Sequence, residues 1–241
     1  MRVYKVKNYD EMSRKAAGLI ASMVLLKPDC VLGLATGSTP EGIYKELIRK
    51  YNNGDLDFSE IKSVNLDEYQ GLASNNDQSY NYYMTDKFFN HINIKKDSYY
   101  LPNGLAKDPA KECARYEEQI RSLGGVDLQL LGIGINGHIG FNEPSDELHK
   151  ETHLAKLTES TIEANARFFK NSDDIPKYAF SMGIKTIMSA RKIVLVASGK
   201  NKADIMPAVI RGPITTAVPA SLLQLHPDVT IIADEDALSL L

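Results

Sequence analysis

An imidazole and a carboxylate, His138 and Glu143, lie close together in a glycine-rich segment of this chain. The segment follows an apolar run at residues 126–133, which is predicted to form a strand buried on both faces. Open α/β sheets bind small molecules at the carboxyl ends of their strands. The pair therefore has the position and the residue types for proton transfer, with the imidazole as acid or base and the carboxylate beside it.

The glycines at positions 132, 134 and 137 also satisfy the G-x-G-x-x-G spacing of dinucleotide-binding loops. That fingerprint requires a helix to begin at its third glycine, whereas this sequence continues as His-Ile-Gly-Phe-Asn-Glu-Pro, which is typical of a loop. We therefore interpret the segment as a turn that carries chemistry, and we reject a nucleotide site. A purely structural turn is the alternative, but it leaves His138 and Glu143 unexplained.

A second segment, Leu-Ala-Thr-Gly-Ser-Thr-Pro-Glu at residues 34–41, connects a predicted buried strand to a helix predicted to begin at Pro40. Backbone N–H groups, the helix dipole and the hydroxyls of Thr36 and Ser38 converge there beside Gly37, and a helix start of this kind binds phosphate. The Gly-Lys-Ser/Thr ending of nucleoside triphosphate loops is missing. An ordinary capping box that begins at Ser38 is the alternative, and both interpretations can hold at once.

Two acids, Asp67 and Glu68, follow a strand predicted at residues 61–66. One of them is expected to point into the cleft at the carboxyl edge of the sheet. Partial burial and neighbouring charges can tune the pKa of a carboxylate there for work as a general base. A solvated pair at the start of a loop is the alternative.

Basic side chains available for a phosphate are Arg167, after a helical stretch, and Lys200 and Lys202, after a strand predicted at residues 192–197. Arginine engages phosphate with two hydrogen bonds, whereas lysine supplies a point charge. A solvated surface position is the commoner role of such residues. The strand-end location of Lys200 and Lys202 favours a ligand-binding role for them.

The composition is that of an ordinary globular protein: 241 residues, 43% hydrophobic and 24% charged, with a formal net charge of -3. One domain over residues 1–241 is expected, and the charge gives no general attraction to nucleic acid or to an anionic membrane. The longest apolar run, residues 16–26, is too short to span a bilayer and lacks the flanks of a signal peptide, so we expect a cytoplasmic protein. Cys30 and Cys113 lack disulfide or metal spacing, and the histidines form no metal-binding pattern, so no metal site is predicted.

Apolar runs of strand length alternate with helical patterns, which predicts an α/β fold: a doubly wound, mostly parallel open sheet with helices on both faces, as in a Rossmann-like three-layer sandwich. Strands are predicted at residues 30–35, 61–66, 126–132, 192–197 and 229–233, with two ambiguous segments at 152–157 and 178–184. Helices are predicted at residues 9–26, 40–51, 79–91, 159–169 and 201–210. A further helix begins after an Asp108 cap, with Pro109 first, and is closed by Gly124.

Three segments make the chain resemble the glucosamine-6-phosphate deaminase family: Leu-Gly-Leu-Ala-Thr-Gly-Ser-Thr-Pro at 32–40, Asn-Leu-Asp-Glu-Tyr at 65–69 and Gly-Ile-Asn-Gly-His-Ile-Gly-Phe-Asn-Glu-Pro at 134–144. Shorter matches in the same order extend the resemblance over essentially the whole chain. It implies conversion of D-glucosamine 6-phosphate and water to D-fructose 6-phosphate and ammonia in amino-sugar catabolism. It also implies that the enzyme needs neither a metal nor an organic cofactor.

The resemblance implies a role for each site residue. His138 opens the sugar ring, Glu143 orients that imidazole, and Asn136 stands where some members carry Asp, so that an amide replaces a second carboxylate. Asp67 matches the base that moves a proton from carbon 2 to carbon 1, whereas Glu68 has no derived role. The residues that match substrate-binding positions of the family are Thr36, Gly37, Ser38, Arg167 and Lys202.

Two other functions stay open at this point, a 6-phosphogluconolactonase-like hydrolase and a non-catalytic sugar-phosphate sensor. The intact segments at 65–69 and 138–144 argue against the hydrolase, and the lack of a basic helix-turn-helix pattern in the sequence argues against the sensor. The expected partner is a small molecule, with no nucleic acid and no membrane, and a homo-oligomer is compatible with the sequence. We expect no allosteric activation, because His153 and Ala155 stand where allosteric members carry Arg and Lys and because the chain stops at Leu241.

Overall fold

The protein is described here from a computed structural model, which covers residues 1–158, 162 and 175–241. Strands and helices alternate along most of the chain. The strands are β1 (Arg2–Val6), β2 (Val31–Leu34), β3 (Lys62–Asn65), β4 (Asp67–Tyr69), β5 (Tyr99–Tyr100), β6 (Leu128–Leu131), β7 (His153–Lys156), β8 (Tyr178–Ser181), β9 (Lys192–Ala197) and β10 (Val229–Asp234). The helices are α1 (Tyr9–Leu26), α2 (Ser38–Asn52), α3 (Tyr80–Lys87), α4 (Pro109–Ser122), α5 (Ile184–Met188) and α6 (Met206–Ile210), with 3-10 turns at Phe89–His91, Lys200–Lys202 and Pro219–Leu225.

A seven-stranded sheet forms the centre of the fold, in the order β1-β10-β9-β6-β2-β3-β5. All of its paired strands are parallel. Its direction of winding reverses between β6 and β2, which is the switch point at which open α/β sheets leave a crevice at their carboxyl edge. The predicted doubly wound α/β fold is confirmed.

Apolar clusters pack on both faces of this sheet. On one face, α1, α2 and α3 supply fully buried side chains such as Ile20, Leu47 and Met84. On the other face, α4 and α6 contribute, for example, Tyr116 and Val209. Strands covered on both sides must be apolar throughout, which explains why they read as continuous apolar runs in the sequence.

Local signals set the helix ends as predicted. The side chain of Asp108 accepts a hydrogen bond from the backbone N–H of Lys111 at 3.1 Å, and Pro109 is the first residue of α4. Gly124, just after this helix, has a φ of 82°, a conformation that favours glycine. Because capping and φ preferences act over a few residues, the sequence alone located these boundaries.

Two elements differ from the sequence prediction, and a further predicted helix lies almost entirely outside the described residues. The strand β1 was not predicted, because it is an edge strand whose first four residues are exposed and which therefore has no apolar run. The helix predicted at 201–210 is divided into the 3-10 turn Lys200–Lys202 and the short helix α6, which has Pro207 in its first turn. The helix predicted at 159–169 lies, apart from residue 162, outside the described residues.

A second, antiparallel sheet with the order β4-β8-β7 lies beside the carboxyl edge of the first. Asp67 and Glu68 belong to β4, where Asp67 pairs with Ser181, so the alternative of a solvated pair in a loop is wrong. The ambiguous segments at 152–157 and 178–184 contain the other two strands. Both cysteines are free. In the part of the chain that the structure describes, every helix is too short or too polar to cross a bilayer.

Candidate active site

A cavity of about 260 Å³ opens at the carboxyl edge of the parallel sheet, between the ends of β2, β3 and β6. The three segments singled out in the sequence meet in its wall. The lining residues are Ala35, Thr36, Gly37, Ser38, Thr39, Pro40, Leu66, Asp67, Tyr80, Gly132, Ile133, Gly134, His138, Gly140 and Phe141. Parallel strands bring their carboxyl ends to one edge, so three segments far apart in sequence form a single site.

The first turn of α2 forms one side of the cavity. The helix begins at Ser38 and not at Pro40, because Gly37 occupies the N-cap position with a φ of 101°. The N-cap residue is a glycine and makes no side-chain cap hydrogen bond, so the alternative of a capping box from Ser38 to Glu41 is wrong. The N–H groups at the start of a helix have no partner within it, and here they lie beside the cavity, which is an arrangement that can bind an anion.

Aromatic side chains form a second wall, which the sequence analysis missed. Tyr80 stacks on Phe141, with ring centroids 6.4 Å apart and an angle of 3° between the planes. The Tyr80 hydroxyl donates to that of Tyr69 at 3.0 Å and shares a hydrogen bond with the side chain of Thr36. A tyrosine in the first turn of a helix carries no sequence signal for this role, because the contacts come from strands elsewhere in the chain.

Asp67 lines the cavity and is 7% exposed. Its Oδ1 atom accepts no hydrogen bond from any described residue. Burial, and to a smaller extent the neighbouring Glu68, raise the pKa of this carboxyl to about 8. A carboxylate with so high a pKa is a far stronger base than an exposed one and can remove a proton from carbon.

Glu68 faces away from the cavity and has a structural role. Its Oε1 atom accepts from the backbone N–H groups of Tyr69 and Tyr80 at 2.9 Å each, and its Oε2 atom accepts from that of Asn81 at 2.9 Å. Burial raises the pKa of Glu68 to about 7, although these three hydrogen bonds oppose the rise. Glu68 therefore caps the start of α3 and holds Tyr80 in the cavity wall, while Asp67 is the acid of the pair that faces the cavity.

His138, Glu143 and Asn136 form a chain of contacts, and His138 lines the cavity. The Nδ1 atom of His138 lies 3.1 Å from Oε1 of Glu143, which is an ion-pair distance when the imidazole is protonated. Asn136 donates from Nδ2 to Oε2 of Glu143 at 2.7 Å and accepts at Oδ1 from the backbone N–H of His138 at 3.2 Å. Glu143 thus orients the imidazole, and Asn136 holds both partners.

The glycine-rich turn leaves room for this arrangement. A Cβ atom on Gly134 would lie 2.3–2.5 Å from three ring atoms of His138, so the imidazole requires glycine there. The backbone N–H of Gly134 donates to the carbonyl of His138 at 3.0 Å, and the backbone N–H of Gly137 donates to the carbonyl of Gly134 at 3.1 Å. These two hydrogen bonds close a tight turn. Residues 139–142 continue as a short bridged loop and not as a helix, as predicted, so this segment lacks the helix that the dinucleotide fingerprint requires.

In the described part of the chain, the predicted basic residues do not line the cavity. Lys202 follows β9 and is half-buried, and burial lowers the pKa of its amine. It is not part of the cavity wall, although β9 lies next to β6 in the sheet. Lys200 is exposed, and Arg167 lies outside the described residues. The structure therefore brings Thr36, Gly37 and Ser38 to the site and leaves the cations as sequence-based assignments.

Comparison with known proteins gives matches over the whole chain. A family model described as glucosamine-6-phosphate isomerases/6-phosphogluconolactonase matches residues 7–232. Two relatives named glucosamine-6-phosphate deaminase, from Thermoanaerobacter pseudethanolicus and Clostridium perfringens, are each 56% identical over 241 residues. These matches cover 100% of this chain and 95% and 100% of the two relatives.

Solved structures agree with this. A monomeric glucosamine-6-phosphate deaminase has a TM-score of 0.96 at 49% identity and covers 100% of both chains. The 6-phosphogluconolactonase of Trypanosoma brucei has a TM-score of 0.78 at 17% identity, over 99% of this chain and 97% of its own. At that identity the second likeness is one of fold alone.

Proposed function

The chain belongs to the family of glucosamine-6-phosphate isomerases and 6-phosphogluconolactonases, and we infer that it acts within this family as a glucosamine-6-phosphate deaminase. It converts D-glucosamine 6-phosphate and water to D-fructose 6-phosphate and ammonia. One observation carries the assignment of the site: Asp67 and His138 line the same cavity. The reaction needs two separate proton transfers, one at the ring and one at carbon, and two such groups are in place.

We propose that His138 carries out ring opening. The imidazole takes the proton of the hydroxyl group on carbon 1 and delivers a proton to the ring oxygen, while the bond between carbon 1 and that oxygen breaks. The product is the open-chain aldehyde. The Glu143 carboxylate, 3.1 Å from Nδ1, stabilises the imidazolium that forms between the two transfers.

We propose that Asp67 then acts on the open chain. Its carboxylate removes the proton from carbon 2 while the aldehyde oxygen takes up a proton from solvent, which gives an enolamine with a hydroxyl on carbon 1 and a double bond between carbons 1 and 2. The same group returns the proton to carbon 1, and the electron pair of the amino nitrogen forms a protonated imine at carbon 2. Water hydrolyses the imine, ammonia leaves, and the ketone of fructose 6-phosphate remains. Because carbons 1 and 2 are adjacent, one buried base reaches both.

The substrate phosphate occupies the anion site at the start of α2 in this proposal. Thr36 and Ser38 supply hydroxyls, and the backbone at Gly37 and Ser38 supplies N–H donors. Lys202 and Arg167 supply positive charge by their match to the family positions. All of these steps use side chains and backbone of this chain, without a cofactor.

Assembly and location remain predictions. The relative at 49% identity is a monomer by its description, whereas the sequence alone leaves a homo-oligomer open. Sedimentation velocity across a range of concentrations would decide between the two for this chain. A cytoplasmic location, and the lack of nucleic-acid and membrane partners, are likewise part of the proposal.

Product analysis tests the function. Purified protein is incubated with glucosamine 6-phosphate, and ammonia and fructose 6-phosphate are measured in parallel. Equal molar amounts of both are expected, with Asp67→Asn as the inactive control. Hydrolysis of 6-phosphogluconolactone without ammonia release would assign the chain to a lactonase, and binding of the sugar phosphate without turnover would make it a sensor.

A further inference from the structure

Asp234, the last residue of β10, holds the loop that carries Lys202 and has no role in the mechanism above. We propose that Asp234 is a positioning residue for substrate binding: its carboxylate fixes the loop at residues 198–202 so that Lys202 is presented to the sugar phosphate. This inference rests on the proposed role of Lys202. It adds a residue that lies outside the cavity wall and outside every motif of the sequence analysis.

Three donors converge on the Asp234 carboxylate. The backbone N–H of Gly199 lies 3.1 Å from both Oδ1 and Oδ2, and the hydroxyl of Ser198 donates to Oδ2. The backbone N–H of Ala237, in the segment after β10, donates to Oδ1 at 2.8 Å. Asp234 itself is 4% exposed. Hydrogen bonds to a buried carboxylate are among the stronger ones in proteins, so Asp234 holds the backbone at Ser198 and Gly199 firmly in place.

The loop needs such an anchor because of its backbone conformation. Gly199 has a φ of 92°, so the chain turns sharply directly after β9. The backbone N–H of Lys202 donates to the Gly199 carbonyl at 3.0 Å, which closes a 3-10 turn. The direction of the Lys202 side chain is therefore set by the position of Gly199, and that position is set by Asp234.

The segment after Lys202 contacts the glycine-rich turn that carries His138. The backbone N–H of Ile205 donates to the carbonyl of Lys202 at 3.3 Å, and the Ile205 side chain lies against Gly137. A Cβ atom on Gly137 would lie 3.2 Å from Cδ1 of Ile205. The lysine segment is thus held between Asp234 on one side and the turn that carries His138 on the other. A shift of this segment changes the distance from Lys202 to the site.

The charge and the burial of Lys202 favour the binding of an anion. Lys202 is half-buried and makes no ion pair with any carboxylate of the described residues. Burial without a counter-charge lowers the pKa of its amine, which a bound phosphate would reverse. Asp234 is occupied by its own three donors and leaves the amine available.

A double-mutant cycle tests the inference. The variants are Asp234→Ala, Lys202→Ala and the double variant, each assayed for kcat and KM with glucosamine 6-phosphate. Asp234→Ala is expected to raise KM roughly tenfold with kcat within about threefold, since the loss is one of binding. In the Lys202→Ala background the same change is expected to add less than about twofold, because the residue that Asp234 positions is already gone.

Two further variants separate positioning from charge and from general stability. In Asp234→Asn the amide oxygen can accept from Gly199 and Ala237 while its NH₂ group donates to Ser198, so KM within about threefold of wild type is expected. Asp127→Ala is the matched control: Asp127 is also a buried carboxylate that accepts a backbone N–H, from Val31 at 2.8 Å, but it lies at the amino edge of the sheet. It should lose thermal stability and keep its KM.

The outcomes are decisive in each case. The inference would be overturned if Asp234→Ala raised KM equally in the wild type and in Lys202→Ala, or if it lowered the melting temperature and left KM unchanged. Neither result would affect the proposed function. An unchanged KM in Lys202→Ala would refute the phosphate role of Lys202 and the inference with it, while ammonia release would still test the overall function. Should Asp234→Ala not fold, Ser198→Ala removes one contact, and a KM rise of about threefold that vanishes in the Lys202→Ala background is expected.

Discussion

The amide of Asn136 donates a 2.7 Å hydrogen bond to Oε2 of Glu143, while the other oxygen of Glu143 faces the imidazole of His138. The carboxylate is therefore held at both oxygens and cannot rotate without losing a contact. An amide cannot take up charge, so in this chain Asn136 acts by orientation and not as a second proton carrier.

Removing this amide should slow ring opening. Asn136→Ala is expected to lower turnover of glucosamine 6-phosphate about tenfold, because a misplaced carboxylate no longer holds the imidazole in line. The measurement is turnover on the normal substrate and on an analogue that cannot cyclise. Wild-type turnover on the normal substrate would show that the contact has no catalytic use.

His138→Gln tests the assignment of proton transfers to separate residues. We expect at least about a hundredfold loss on the cyclic substrate and a much smaller loss on the open-chain analogue, because only the first requires ring opening. His91→Gln is the control. The side chain of His91 is exposed, and its ring Nε2 forms a hydrogen bond with the carbonyl of Asp86. An equal loss on both substrates would contradict the assignment.

Asp67→Asn should fold and lose at least about a hundredfold in turnover, since an amide cannot accept the carbon 2 proton. In the wild type the base must be ionised, so kcat/KM is expected to rise with pH through about 8, the value to which burial and Glu68 raise the pKa of Asp67. A pH–rate profile and exchange of the carbon 2 proton with solvent check this. Retained exchange in Asp67→Asn would refute the assignment.

The raised pKa of Asp67 also predicts that the free energy of unfolding falls as the pH rises. The folded-state pKa of about 8 lies above the value of about 3.9 for an unfolded chain, so the folded state binds the extra proton between these limits. Ionisation of Asp67 therefore lowers the free energy of unfolding as pH rises from about 4 to about 8. Asp67→Asn is expected to gain at least about 1 kcal/mol over the wild type between pH 4 and 8.5, by urea unfolding. A constant difference at both pH values would contradict this prediction.

Lys202→Ala should weaken binding of the phosphate. A charge-assisted contact contributes about 1.5–3 kcal/mol, so KM should rise roughly ten- to a hundredfold and the preference for glucosamine 6-phosphate over glucosamine should fall accordingly. Lys200→Ala is a close control, because Lys200 lies in the same 3-10 turn and is exposed. Equal effects of the two variants would assign the result to general positive charge.

N-acetylglucosamine 6-phosphate should leave the rate curve hyperbolic and unchanged. His153 stands at a position where allosteric members of the family carry a basic residue, but burial and the stacked His149 lower the pKa of His153 to about 4. The imidazole is then neutral near pH 7 and gives an effector phosphate no charge to bind. An effector without differential affinity for two conformations cannot shift an equilibrium. A sigmoidal curve that the compound converts to a hyperbola would refute this.

Much of the fold and of the site could be predicted because the signals are local. Continuous apolar runs predicted the buried strands, and caps such as Asp108 located helix ends. Since parallel strands end at one edge, the sequence also predicted that the segments with Thr36, the pair Asp67–Glu68 and His138 lie at that edge. Thr36, Asp67 and His138 line the cavity there, whereas the sequence left open which acid of the pair would do so.

The tertiary structure decided what depends on partners far away in the chain. Pairing of Asp67 with Ser181 in a second sheet buries both acids, and a contact with the start of α3 turns Glu68 away from the cavity. Asp234 meets Gly199 only because β9 and β10 are neighbours. Residue type and spacing report which groups can transfer a proton, whereas burial, pKa and orientation arise from packing, which a local pattern does not contain.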